Sequence, residues 1–293
     1  MPESVQFVSG AARCSGLVYP CNATAPSPYV ILCPGFGGTQ DTPSLVAAAE
    51  EFARHGYHAM TFDYRHFGLS DGEPRQLVDL DGQLDDIRAA ISFARTRPDA
   101  SGIVLWGTSL GGGHVVSVAA TDPLVTAVIA QIPFNGFPRR VRGRTMRATM
   151  RLLLAMLTDR VRGWLSCPPH YIAAVGGEGE LAVMAGEEAE QAVAAMGSRT
   201  WRNEVAPRAL FDMMRYRPGD VAPQLKMPVL VAVGEFDRET EQADAALIAD
   251  RAPHGVLRRY PLGHFDFYRP HHRERVLADQ IRFLDEVTGR KVS

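Results

Sequence analysis

The sequence predicts an α/β fold: a doubly wound, mostly parallel sheet interrupted by an inserted helical cap. Three observations carry that expectation. Short β-rich runs alternate with helical patterns from Tyr29 to Ile132, the rhythm breaks at Pro133, and it resumes at Val229. Strands linked by crossover helices are covered on both faces, so they read as near-continuous apolar runs.

Leu17 to Tyr19 and Tyr29 to Cys33 are β-rich runs separated by a polar, Pro-containing stretch, so the chain opens with strands. Between Asp41 and His55, Leu45, Val46, Ala49, Phe52 and Ala53 recur at helical spacing, and Gly56 stops the helix. His58 to Tyr64 is the next strand. Asp79 to Arg97 reads as a long amphipathic helix with Leu80, Leu84, Ile87 and Ile91 on one face and Pro98 ending it. Gly102 to Trp106, Gly112 to Ala120 and Ala127 to Ile132 follow as strand, helix and strand. Residues 135–222 are an insertion at the carboxyl edge of the sheet, where ligands bind in open α/β folds, and 1–134 with 223–293 make the core. Val229 to Val233, a helix from about Glu239 to Ala252, Val256 to Tyr260 and a last helix from about His272 to Val287 complete it.

At 293 residues, 46% hydrophobic and 22% charged, the chain can bury a full core as one large domain carrying an insertion. A net charge of −2 gives no global attraction to nucleic acid or to an anionic membrane, and neither is expected as a partner. The N-terminus lacks a basic region followed by an apolar segment, and no run of about 18 apolar residues occurs, so a cytoplasmic protein is expected. Cys14, Cys21, Cys33 and Cys167 form no C-x-x-C pair and are expected to be free thiols, most of them buried.

The chemistry concentrates at Gly107-Thr108-Ser109-Leu110-Gly111, which follows an apolar strand and precedes a helix. Glycines two before and two after Ser109 remove Cβ atoms where strand and helix nearly touch, so the serine can occupy a strained turn with its hydroxyl presented. A serine is a poor nucleophile until a base takes its proton, and the base needs a carboxylate to fix its tautomer. The strand at Val229 ends in Gly234-Glu235-Phe236-Asp237, and the last strand runs into Gly263-His264. Ser109, Asp237 and His264 therefore stand in the chain order this architecture requires, each just past a strand on one edge. Glu235 competes with Asp237 because residues two apart on a strand share a face. Asp237, further out where the loop begins, is preferred, and Asp266 is read as a local hydrogen-bonding residue. For the oxyanion of the transition state, the backbone N–H of Leu110 supplies one donor and that of Phe36, in Cys33-Pro34-Gly35-Phe36-Gly37-Gly38, the other. The glycine spacing in that loop is wrong for a dinucleotide fingerprint.

With these residues in place the chain resembles an α/β-hydrolase over nearly its full length. Pro34-Gly35-Phe36-Gly37 stands where the family usually has His-Gly-x-Gly. The stretch from Asp63 to Gly72 is similar to the family's D-x-R-G-x-G-x-S-x-G segment, mainly structural there, with His66 replacing a glycine. Asp71-Gly72-Glu73-Pro74-Arg75 and Gly263 to Tyr268 look most like a branch of cap-bearing esterases. That branch is related to X-Pro dipeptidyl-peptidase-like and dienelactone-hydrolase-like proteins and includes acyltransferases that move polyketide chains.

Between Arg139 and Arg162, Arg144, Arg147 and Arg151 among them, stand eight arginines against one acid, Asp159. Met146, Met150, Leu153, Leu157, Val161 and Trp164 form a helical stripe beside them. The arginines read either as a solvated helix face or as an electropositive rim for an acidic acyl carrier protein. Leu153, Leu154, Met156, Leu157 and Trp164 read as core packing or as the lining of an acyl pocket. Neighbouring His271 and His272 point apart on a helix and make no metal site, and without a P-loop or thiolate cluster no cofactor is required. The expectation is a serine hydrolase cleaving an ester or thioester with an apolar acyl group through an acyl-enzyme on Ser109. Acyl transfer to an alcohol or amine is the alternative, and a non-catalytic binding protein the reading from another class.

Overall fold

The computed structural model describes residues 2–137, 145–186, 189 and 197–290. The first half comprises β1 (Glu3–Ser9), β2 (Ala12–Tyr19), β3 (Ser27–Cys33), α1 (Pro43–Arg54), β4 (His58–Phe62), α2 (Leu80–Arg95), β5 (Ala100–Thr108), α3 (Leu110–Ala119) and β6 (Val125–Gln131). There follow α4 (Met146–Trp164), β7 (Ala173–Gly176), β8 (Ala182–Ala185), α5 (Ala209–Met213), β9 (Val229–Gly234), α6 (Gln242–Arg251), β10 (Gly255–Tyr260) and α7 (Pro270–Thr288).

The main sheet has the order β1-β2-β4-β3-β5-β6-β9-β10, antiparallel from β1 to β4 and parallel beyond. Its faces follow the two-residue period of the strands. Val30 and Leu32 pack with Phe52 of α1 and Ile281 and Leu284 of α7, whereas Ile31 and Cys33 pack with Ile87 of α2 and Val115 of α3. The doubly wound expectation holds. Strand β1 had no distinct signal, because the inward set Val5, Phe7 and Ser9 ends in a polar residue and the outward set Ser4, Gln6 and Val8 in an apolar one.

The stretch between β6 and β9 carries α4 and α5 and also a parallel pair, β7 and β8, which the helical expectation did not include. Thr145 caps α4 by accepting from the Ala148 N–H at 3.2 Å. The apolar stripe of α4 faces outward: Met146 and Trp164 are each 77% exposed, and the inward face is Leu152, Ala155, Met156 and Asp159. The rotation is fixed by Asp159, whose buried carboxylate accepts from the His170 N–H at 2.8 Å and the Arg208 N–H at 3.1 Å. A carboxylate with two such donors is held inward more firmly than a Leu or Met is drawn there. Leu153, Leu154, Leu157 and Trp164 therefore neither pack the core nor line a pocket beside Ser109. Arg139, Arg140, Arg142 and Arg144 lie outside the described residues, while Arg147 and Arg151 are exposed on α4.

All four cysteines are free; Cys14 and Cys33 are buried and Cys167 is exposed, so two rather than most are interior. Among the described residues no helix is long and apolar enough to cross a membrane.

Candidate active site

Ser109 sits between β5 and α3 at φ 54° and ψ −120°, a conformation strained for a residue with a Cβ. The turn is tight enough to dictate its glycines. A Cβ on Gly107 would lie 2.2 Å from the Gly111 carbonyl oxygen, and one on Gly111 would lie 2.3 Å from that of Cys33. The strained backbone is tethered at 2.9 Å from the Ser109 N–H to the Gln131 carbonyl and at 2.8 Å from the Phe134 N–H to the Ser109 carbonyl.

The parallel sheet brings the carboxyl ends of β5, β9 and β10 to one edge, and the three residues predicted there meet. His264 Nε2 lies 3.1 Å from Ser109 Oγ, and His264 Nδ1 lies 2.8 Å from Asp237 Oδ2. An ionised carboxylate only accepts, so Nδ1 carries the proton and Nε2 is left to accept from the serine hydroxyl. Asp237 is also held by the Glu239 and Thr240 N–H groups at 2.8 and 2.9 Å on Oδ1 and by Thr240 Oγ1 at 2.8 Å on Oδ2. Burial alone would raise its carboxyl pKa, but the His264 charge and these hydrogen bonds outweigh it and lower the value. Burial likewise disfavours the His264 cation, yet Asp237 overcomes it and raises the imidazole pKa above its ordinary value.

Glu235 is exposed and outside this constellation. The chain turns just after β9, with the Asp237 N–H reaching the Gly234 carbonyl at 3.3 Å, and so brings Asp237 back over the edge. Asp266 accepts from the Gly263 N–H at 2.9 Å and shapes the His264 loop, as expected.

Phe36 and Leu110 line one cavity with Ser109. Among the described residues, neither of their backbone N–H groups donates to another protein group. Gly35 lets the Phe36 loop approach, since a Cβ there would lie 3.2 Å from Ser109 Cβ. Sequence reasoning missed what holds this loop. Buried Asp63 accepts from the Gln40 N–H at 2.7 Å, Gln40 Nε2 at 2.8 Å and the Leu69 N–H at 2.8 Å. Asp41 Oδ1 accepts from Thr39 Oγ1 at 2.8 Å, Ser198 Oγ at 2.7 Å and Thr200 Oγ1 at 2.6 Å, fastening the oxyanion loop to the inserted stretch. The D-x-R segment was the available signal for Asp63; nothing local announces Asp41. His66 stands at φ 71°, which explains why the resembling motif has glycine there, and it lines neither cavity at Ser109.

Two cavities meet at Ser109. One is mostly apolar and runs between α1 and α7, lined by Leu45, Ala48, Trp106, Phe265 and Leu277. The other, towards the inserted stretch, is lined by Phe134, Phe137, Val183, Met213 and Thr240. Phe36 and Met184 border both.

Known proteins resemble this chain in sequence and fold. The chain is 36% identical over 292 residues to the quorum-quenching protein AidA of Acinetobacter baumannii, covering 98% of this chain and 95% of that one. It is 28% identical over 296 residues to the polyketide transferase ATR5 of Stachybotrys chlorohalonatus, covering 96% of each. Its fold matches the crystal structure of the α/β hydrolase GrgF from a Penicillium species with a TM-score of 0.80 at 22% identity, covering 98% of each chain. Residues 24–263 match the serine aminopeptidase S33 family, a span that takes in Ser109 and Asp237 and ends beside His264. The chain therefore belongs to the serine aminopeptidase S33 family and is an enzyme of the α/β-hydrolase fold.

Proposed function

We propose that Ser109, His264 and Asp237 form a catalytic triad that cleaves a carboxylic ester or thioester with an apolar acyl group. The supporting observation is the unbroken Ser109–His264–Asp237 hydrogen-bond chain beside two unengaged N–H groups. Ser109 Oγ attacks the carbonyl carbon as its proton passes to His264 Nε2, and Phe36 and Leu110 N–H groups hold the oxyanion. Collapse breaks the C–O or C–S bond, and His264 returns the proton to the leaving group, so an acyl ester remains on Ser109. Water, activated by the same histidine, then releases the acid. Asp237 keeps the imidazole oriented and stabilises its cation.

A second reading, transfer of the acyl group to an alcohol or amine, is favoured by the second cavity. It gives an acceptor a place beside Ser109 apart from the apolar cavity, and a relative named as a polyketide transferase aligns over nearly the whole chain. Residues 135–222 would then act as a cap over a core of 1–134 and 223–293, with Met184 and Met213 reaching the cavities. The exposed apolar stripe of α4 flanked by Arg147 and Arg151 suits an acidic acyl carrier protein as the donor. The free cysteines suit a cytoplasmic setting.

Labelling with a fluorophosphonate, followed by a panel of acyl esters and thioesters with and without added alcohol or amine, tests these readings. Labelling of the wild type that Ser109→Ala abolishes is the expected result, and labelling that persists in that variant overturns the triad. Acid as the sole product in every acceptor trial would leave hydrolysis alone. Arg147→Glu with Arg151→Glu should raise KM for a carrier-bound thioester more than for its small-molecule counterpart, and the gap should shrink with salt.

A further inference from the structure

The apolar cavity between α1 and α7 contains one feature that hydrolysis of a plain alkyl ester does not use. Arg273, in the first turns of α7, lines it four residues before Leu277, so both side chains stand on the same face of the helix. Apart from His264 it is the only basic residue among the described residues that line the cavity, and no carboxylate lines it. The guanidinium donates to the Tyr268 carbonyl at 3.3 Å and has no ion-pair partner among the described residues. Burial lowers its pKa from the ordinary arginine value, and the charge of the adjacent Glu274, which does not line the cavity, only partly offsets that. Its other N–H groups are not buried without a partner, so they stay open to a ligand that enters the cavity.

Resting on the reading of this cavity as the acyl site, we propose that Arg273 selects acyl groups that end in a carboxylate. With the scissile carbonyl at Ser109, the chain lies against Trp106, Leu45 and Phe265, and its far end meets the α7 wall where Arg273 stands. A carboxylate there satisfies the guanidinium's planar fork through two parallel hydrogen bonds, and it is the anion that fits the end of an apolar acyl chain. The apolar length between the two ends excludes short hydrophilic acids, and the unmet charge discriminates against a methyl terminus.

Binding is measured by calorimetry on the Ser109→Ala protein, which cannot turn over, with monomethyl adipate and methyl hexanoate as probes. Adding Arg273→Met should weaken monomethyl adipate by about ten- to a hundred-fold, the loss of a charge-assisted pair, and Arg273→Lys should fall between. Methyl hexanoate should change by less than about three-fold, within what apolar repacking causes. In the Ser109 enzyme, the ratio of kcat/KM for p-nitrophenyl monoadipate over p-nitrophenyl hexanoate should collapse with Arg273→Met. Equal affinities with and without Arg273, in variants that melt as the parent does, reduce it to a cap on the Tyr268 carbonyl and overturn the proposal. An enzyme inert to fluorophosphonate that still binds adipate through Arg273 would instead overturn the triad and leave the carboxylate site standing.

Discussion

His264 carries the proton in every step of the proposed reaction, so the pH profile of activity is its titration. Its pKa is raised by Asp237 against the pull of burial, and only the neutral ring can accept the Ser109 proton. The acid limb of kcat/KM should therefore fall with an apparent pKa above 6.5, the unperturbed imidazole value, and move down when Asp237 is made neutral. Ser109→Ala and His264→Ala should each lower kcat by about three to six orders of magnitude, because triad members act as a unit. Asp237→Asn should cost on the order of 10³ to 10⁴ in kcat by favouring the wrong tautomer, while Glu235→Gln should stay near wild type. A crippled Glu235→Gln beside a healthy Asp237→Asn would reverse that assignment. Ser109, Asp237 and His264 were legible in the sequence because each follows an apolar strand. That Asp237 rather than Glu235 meets His264 follows from the turn after β9, which spacing alone does not reveal. Thr240, which holds the acid from three residues away, has no sequence signature of its own.

At the scale of elements, strand–helix alternation was readable because the inner parallel strands β3, β4 and β9 are buried along their whole length, whereas the edge strand β10 leaves Arg258 and Arg259 exposed. The orientation of α4 was not, since apolar periodicity locates a stripe without saying which way it faces. There the decision belonged to Asp159 and its partners at His170 and Arg208, far apart in sequence. The junction of β5 and α3 makes the sharpest prediction. A methyl group at residue 111 would press on the Cys33 carbonyl, which begins the loop carrying Phe36. Gly111→Ala should thus displace one oxyanion donor through the neighbouring strand and lower kcat by about 10² or more, the cost of losing such a donor. Thermal denaturation run beside steady-state kinetics checks this: a lowered melting temperature together with the kcat loss is expected, and an unchanged kcat would mean that the loop yields without harm.

For the whole molecule, the buried link between the sheet and the inserted stretch sets an acid limit. His114 on α3 is wholly interior, with Nε2 at 3.0 Å from Gln83 Oε1 and Nδ1 at 2.9 Å from the Tyr216 hydroxyl. The amide oxygen must accept, so Nε2 carries a proton, and burial, which lowers the ring's pKa to about 3, leaves Nδ1 bare to accept from Tyr216. Unfolded, the same ring titrates near 6.5, so below that pH the unfolded chain binds a proton that the folded one refuses. Stability from this group is complete above pH 6.5 and drains away as pH falls towards 3, at up to about 1.4 kcal/mol per pH unit. His114→Gln should flatten the pH dependence of the melting temperature between pH 6.5 and 4, and a slope equal to wild type would show that the ring is already charged in the fold.

Asp41 gives the molecule a coincidence requirement. Ser198 and Thr200 reach it from one side and Thr39, three residues past Phe36, from the other, through a single carboxylate oxygen. Lifting the inserted stretch far enough to admit bulk solvent would withdraw two of those donors and free the same oxygen to pull on the loop that carries Phe36. Under the proposed mechanism, a displacement of the inserted stretch would therefore be felt at the loop that carries the Phe36 N–H.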